Sequence, residues 1–350
     1  MTHHTIRCRR RHQQSHHAGQ NKCSHMLKHF SVYWLLWRVC GCLFIQNFRD
    51  QSLRTARAKL ATVYILCPVM WTALALVFEA AFIIGKAFLV SDSIHSFTKS
   101  LLFITQSILN VKIFLTFFCM VLGCRKILEF HRESALYERS TCFVPCENAE
   151  ARRRRILAYI RRFAALVSLA ATHGLGTQFY GRDLMLTYGK DWTVFFRICG
   201  ALSLLVFLVY DSLMYIYLSH SSDILTEYLR AQLFTLQDVC RNRRHVETSQ
   251  QAWRSVEKVR LNVYRILALK KSMNCIWHPA LVISTGSLIL LQCMILQAVF
   301  NGGFGQPELW IIASYCAYFL ISFVDLATVS HSLMDQVSSF WGLLDGHRYR

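Results

Sequence analysis

The sequence predicts an all-α fold, a polytopic bundle of transmembrane helices with its N-terminus in the cytoplasm. Three observations predict it. Hydrophobic residues make up 54% of the 350-residue chain and charged residues only 17%, against about a quarter charged in an ordinary soluble domain. The apolar residues come in blocks of roughly 20, the length a helix needs to cross a ~30 Å hydrocarbon core. Lysine and arginine are also segregated between alternate connections, the pattern by which orientation is read.

Six blocks qualify as spans: 60–88, 96–123, 156–178, 193–218, 276–300 and 309–333. The third carries Arg161 and Arg162 in its first turns, where long side chains are expected to snorkel toward the interface. The earlier apolar stretch Tyr33–Phe48 is short and holds Arg38 at its centre, so an interfacial or re-entrant helix is expected over 33–48. With the N-terminus inside, thirty-one lysines and arginines fall on the cytoplasmic side and two, Arg182 and Lys190, in the outer loops. Residues 1–59 are then a cytoplasmic basic segment, 60–333 the bundle, and 334–350 a cytoplasmic tail. No apolar leader precedes the first block, so insertion through the first span is expected.

The net charge of +19 does not point to nucleic acid, because the basic residues sit between apolar blocks rather than on one soluble face. Most of the fourteen cysteines lie inside apolar blocks and read as small buried hydrophobes. The histidine-rich start (His3, His4, His12, His16, His17) has no metal-ligand spacing, and Cys142 and Cys146 lack a second pair. No cofactor or metal is expected. Enzyme motifs are missing too: no His-Glu-x-x-His, phosphate loop or Gly-x-Ser-x-Gly occurs.

Residues 219–275 form a connection longer than any outer loop. Leu225, Leu229, Leu233, Leu236 and Cys240 recur at helical spacing, and so do Trp253, Val256, Val259, Val263 and Ile266. Two amphipathic helices that prolong spans four and five and pack on their neighbours are expected. The run Arg152–Arg155 before the third span suits a cytoplasmic face drawn to anionic membrane lipid.

This layout resembles the arthropod gustatory receptor family. The segment containing Trp34, Leu35, Leu36, Trp37, Arg38 and Gly41 is similar to the family's short leading segment. Val256–Ser284 (VEKVRLNVYRILALKKSMNCIWHPALVIS), with Asn274 and Ile276, is similar to its approach to span five. The family's Thr-Tyr, five hydrophobics, Gln-Phe motif of a seventh span has no counterpart: Thr187–Tyr188 is followed by Gly189, Lys190 and Asp191, and Gln178–Phe179 lacks the preceding pair. The chain is therefore expected to lack that span. The resemblance implies a subunit of a ligand-gated cation channel, a homo- or hetero-tetramer with related receptor subunits, whose seventh span lines the pore. The first six spans then surround it and sense a small-molecule tastant, and 219–275 is an anchor between subunits. A six-span transporter and a G-protein-coupled receptor fragment are the alternatives. The former calls for broken helices at matching places in two halves, and only Gly174 and Gly176 break a span. The latter needs an extracellular N-terminus.

Outer loops this short place a ligand among the outer halves of the helices, in an apolar cleft with few polar groups. Suitable residues are His173, Gln178 and Tyr180 near the end of span three, Trp192 and Phe196 at the start of span four, and Trp310, Tyr315 and Tyr318 in span six. The plain alternative for each is an interfacial anchor or a packed core side chain. Asp211 and Asp325, deep in spans four and six, need partners at such depth.

Overall fold

The computed structural model describes residues 24–40, 43–48, 53–59, 96–145, 149–188, 193–242, 249–302 and 307–348, with position 191 and scattered positions between 66 and 81. The first apolar block, 60–88, and the histidine-rich start thus lie largely or wholly outside the described residues.

The described chain is all-α apart from one short ladder. Helix α1 spans His25–Val39. Strand β1 (Ile45–Gln46) pairs antiparallel with β2 (Arg57–Ala58). Five long helices follow: α2 (Ser96–Thr141), α3 (Ala149–Tyr188), α4 (Thr193–Asn242), α5 (Ser249–Gly302) and α6 (Pro307–Arg348). Central α4 touches each of the other five helices.

All five long helices continue past the apolar block that predicts them. In α2, α4 and α5 the extension carries its own apolar stripe. Leu225, Leu229, Leu233 and Leu236 on α4 are buried, as are Val259, Val263 and Ile266 on α5. A polar bridge joins the three extensions: Asn262 donates to Gln232 Oε1 at 3.1 Å, and Gln232 donates to the Tyr137 hydroxyl at 2.9 Å. The expected packing of the two amphipathic stretches is therefore present, with one exception. Trp253 is 68% exposed and takes no part in it.

Three local expectations are corrected. The helix expected over 33–48 begins at His25 and ends at Val39, while Ile45–Gln46 is strand. Its start is set from outside, because the Glu138 carboxylate of α2 accepts the backbone N–H groups of His25 (2.6 Å) and Met26 (3.0 Å), the first donors a helix leaves unsatisfied. Met26, Phe30, Trp34 and Trp37 are buried in the shared core, so α1 packs into the bundle. Gly174 and Gly176 do not break α3, which stays helical through both. Nor do Arg161 and Arg162 reach outward: Arg162 is buried and turned into the bundle, for reasons given below.

Gly123 of α2 faces Ile276 of α5. A Cβ there would lie 3.0 Å from the Ile276 Cγ2 atom, so the missing side chain admits the neighbouring helix.

Besides its buried core the bundle exposes many large apolar side chains. Leu122 on α2, Phe163 on α3 and Phe300 on α5 are 79%, 71% and 85% exposed, whereas Lys112, Asp211 and Asp325 are buried. Apolar exposure on this scale suits a membrane or a protein partner. Among the described residues, three helical stretches are long and apolar enough to cross a membrane: Arg197–Cys240, Gln250–Gln297 and Leu309–Leu344.

Candidate functional site

The most unusual feature of the interior is an ion pair between two helices. Lys112, on α2, meets Asp211, on α4, through Nζ and Oδ1, and both are sealed from solvent. Removing two charges from water costs several kcal/mol per ion unless geometry and neighbours compensate. Here the neighbours are aromatic. The ammonium faces the rings of Phe319 (4.3 Å), Tyr318 (5.2 Å) and Tyr315 (5.9 Å) on α6, within the range where ring faces attract cations.

Around Asp211 gathers a second set of groups. His173 of α3 brings Nε2 to 4.0 Å from Oδ2 and stacks on Phe207 at 5.7 Å. The Tyr318 hydroxyl donates to the Asp211 backbone carbonyl at 3.0 Å, and Tyr315 stacks on Tyr318. The Asp211 carboxylate is taken up by the Lys112 ammonium and interacts with the Tyr315 hydroxyl, while among the described residues no hydrogen bond reaches His173 Nε2. A buried polar atom with capacity left over is one on which a polar guest can act.

Three of the eight residues singled out in the sequence, His173, Tyr315 and Tyr318, therefore converge on one cluster drawn from α2, α3, α4 and α6. Two stand apart from it on the surface: Gln178 is exposed, and Trp310 is 61% exposed, as suits an interfacial anchor. Trp192 lies outside the described residues. Tyr180 and Phe196 belong to α3 and α4 by backbone, and their side chains lie outside the description. The residues that sequence reasoning missed are Lys112, Phe207 and Phe319. Lys112 left a signal, since it is the only cation between Lys99 and Arg125 and a lone intramembrane charge calls for a partner.

A second charged layer lies along the same helices. Asp325 of α6 accepts from Arg161 Nε at 2.8 Å, from Arg162 Nε at 3.3 Å and from the Tyr215 hydroxyl at 3.1 Å. Arg162 also pairs with Asp223 and lies 3.3 Å from His220 Nδ1, while His220 Nε2 is 3.1 Å from the Tyr33 hydroxyl of α1. This network is why the two arginines turn inward: each finds a carboxylate there. Tyr215 and Tyr318, 6.3 Å apart edge to face, connect the two layers.

Near the start of α1 His29 is half buried beside His25, Arg155 and Arg162. Burial, reinforced by the positive charge of His25, lowers its pKa to about 4 against the opposing pull of Glu227.

No metal-holding group of three or more ligating side chains occurs among the described residues. Neither a known family model nor a curated protein matches the chain.

Proposed function

We propose that the chain is a chemoreceptor subunit of the gustatory type. In this reading it lies in the plasma membrane of sensory neurons, with six spans and a cytoplasmic N-terminus, and senses small tastant molecules. It belongs to a family of ligand-gated cation channels and assembles as a homo- or hetero-tetramer with related receptor subunits.

The observation that carries the reading is the convergence of His173, Tyr315 and Tyr318 on the Lys112–Asp211 pair. A charged group held in an apolar bundle marks a binding or ion pathway more often than a scaffold. Aromatic faces around a few polar groups are also the composition of small-molecule sites. A ligand with a hydroxyl or a charge would compete for Asp211 or Lys112 and shift α2 against α4 and α6. Tyr215 and Tyr318 would pass that shift to the Asp325 layer. The lysine and arginine asymmetry supports the orientation.

The test is cation entry in cells expressing the chain with related receptor subunits, challenged with a panel of tastants, beside His173→Ala. A dose–response curve displaced by His173→Ala supports the site, and an unchanged curve removes His173 from it. Accumulation of a solute by the purified chain in vesicles, without evoked current, would instead favour a transporter.

A further inference from the structure

About two helical turns beyond Arg162 and Asp223, a second set of cations lies where the first turns of α3 meet α4 and α6. Arg230 of α4 donates through Nη2 to the Ser332 hydroxyl of α6 at 3.0 Å. Its Nε is buried and has no hydrogen-bond partner among the described residues. Arg154 of α3 lies close enough to repel it. Each carboxylate of this end already holds another cation, Glu150 with Arg154, Glu227 with His25 and Arg155, and Asp223 with Arg162, so Arg230 feels all three only at longer range. Arg152 and Arg153 project exposed from the first turns of α3.

A half-buried guanidinium beside a second one, with a serine hydroxyl as its direct acceptor and carboxylates that each hold another cation, can take a further anion. The planar forks of arginine match phosphate oxygens two at a time. The exposed apolar face of α3 begins directly after the arginine run, with Ile156, Leu157, Ile160 and Phe163 at 46–71% exposure. A headgroup at the arginines would leave its acyl chains along that face.

We infer that Arg154, Arg230 and Ser332, flanked by Arg152 and Arg153, hold the phosphate of a polyanionic phospholipid headgroup. The occupant is a lipid because cationic and apolar surfaces adjoin in the order a lipid presents them. It is polyanionic because Arg152, Arg153, Arg154, Arg155, Arg162 and Arg230 outnumber Glu150, Asp223 and Glu227, the carboxylates within reach of them. The inference rests on the chain being a membrane protein and not on its response to tastants.

The experiment uses the purified full chain in phosphatidylcholine nanodiscs and reads thermal stabilisation. One arm is doped with phosphatidylinositol 4,5-bisphosphate and another with phosphatidylserine at matched charge; a third adds soluble inositol trisphosphate to undoped discs. The expected result is saturable stabilisation by the phosphoinositide at concentrations where the other two do little. Arg230→Gln should weaken it by about tenfold, while Arg260→Gln, on an exposed face, should leave it unchanged. Should Arg230→Gln fail to fold, the exposed double variant Arg152→Gln/Arg153→Gln should show the same weakening. Equal stabilisation by phosphatidylserine, indifferent to the variants, would reduce the site to diffuse charge attraction and overturn the inference. Equal binding of soluble inositol trisphosphate would overturn the assignment to a lipid. No arm uses a tastant, so failure here and failure of the receptor reading are separate results.

Discussion

Lys112 and Asp211 stand 99 positions apart in the chain and form an ion pair that water does not reach, at 1% and 0% side-chain exposure. Such a pair adds little stability relative to apolar residues of the same volume, yet removing one partner leaves a charge stranded. Lys112→Met should therefore lower stability by about 3–5 kcal/mol. The double variant Lys112→Met/Asp211→Leu should recover most of that loss. Thermal unfolding of both variants in detergent checks this; equal losses in the single and double variants would refute it.

Asp325 carries a heavier electrostatic task, since Arg161, Arg162 and Tyr215 all bond to it, with Asp223 a second partner for Arg162 alone. Asparagine there keeps the shape but leaves two guanidinium groups facing a neutral amide. Asp325→Asn should cost on the order of 3 kcal/mol and reduce the amount of folded protein recovered. Recovery and melting temperature equal to the parent chain would show that the arginines find other partners.

Acid should loosen α1. In the folded protein His29 has its pKa lowered to about 4 from an ordinary 6.5. Between those values the unfolded chain binds the proton and the folded one does not, so stability rises with pH. It is lost as pH falls from about 6.5 toward 4. Hydrogen-exchange protection factors of the α1 amides, corrected for the intrinsic pH dependence of exchange, should fall across that window as the pH is lowered, and His29→Gln should flatten the dependence. Protection factors independent of pH in the parent chain would contradict this.

The proposed orientation gives a direct prediction. An epitope tag ahead of Met1 should be labelled only in permeabilised cells, because basic segments are preferentially retained in the cytoplasm. Labelling of intact cells would revive the G-protein-coupled receptor alternative.

The sequence makes the long helices legible because length, apolar blocks and basic connections each constrain the answer independently. The prolongation of span four is legible as well, since Leu225, Leu229, Leu233 and Leu236 recur at helical spacing and α4 continues through them to Asn242. The α1 boundary is not, because its cap is Glu138, on another helix. In the site, His173, Tyr315 and Tyr318 were nameable from residue type and place in the spans. Asp211 and Asp325 were visible as charges needing partners. Their partners Lys112, Arg161 and Arg162 come from distant segments, and no local pattern joins them. Arg161 and Arg162 were expected to point the other way, because snorkelling is the rule for an arginine without a buried carboxylate and Asp325 supplies one.

The central claim, that a small molecule binds at the Lys112–Asp211 cluster, is met most directly by ligand-induced thermal stabilisation of the purified chain. A tastant panel would be applied to the parent protein and to Lys112→Met/Asp211→Leu, which is expected to fold but to lack the charges. The account predicts that some compound raises the melting temperature of the parent dose-dependently and leaves the double variant unmoved. Equal stabilisation of both by every compound that acts would place the ligand elsewhere and contradict the claim.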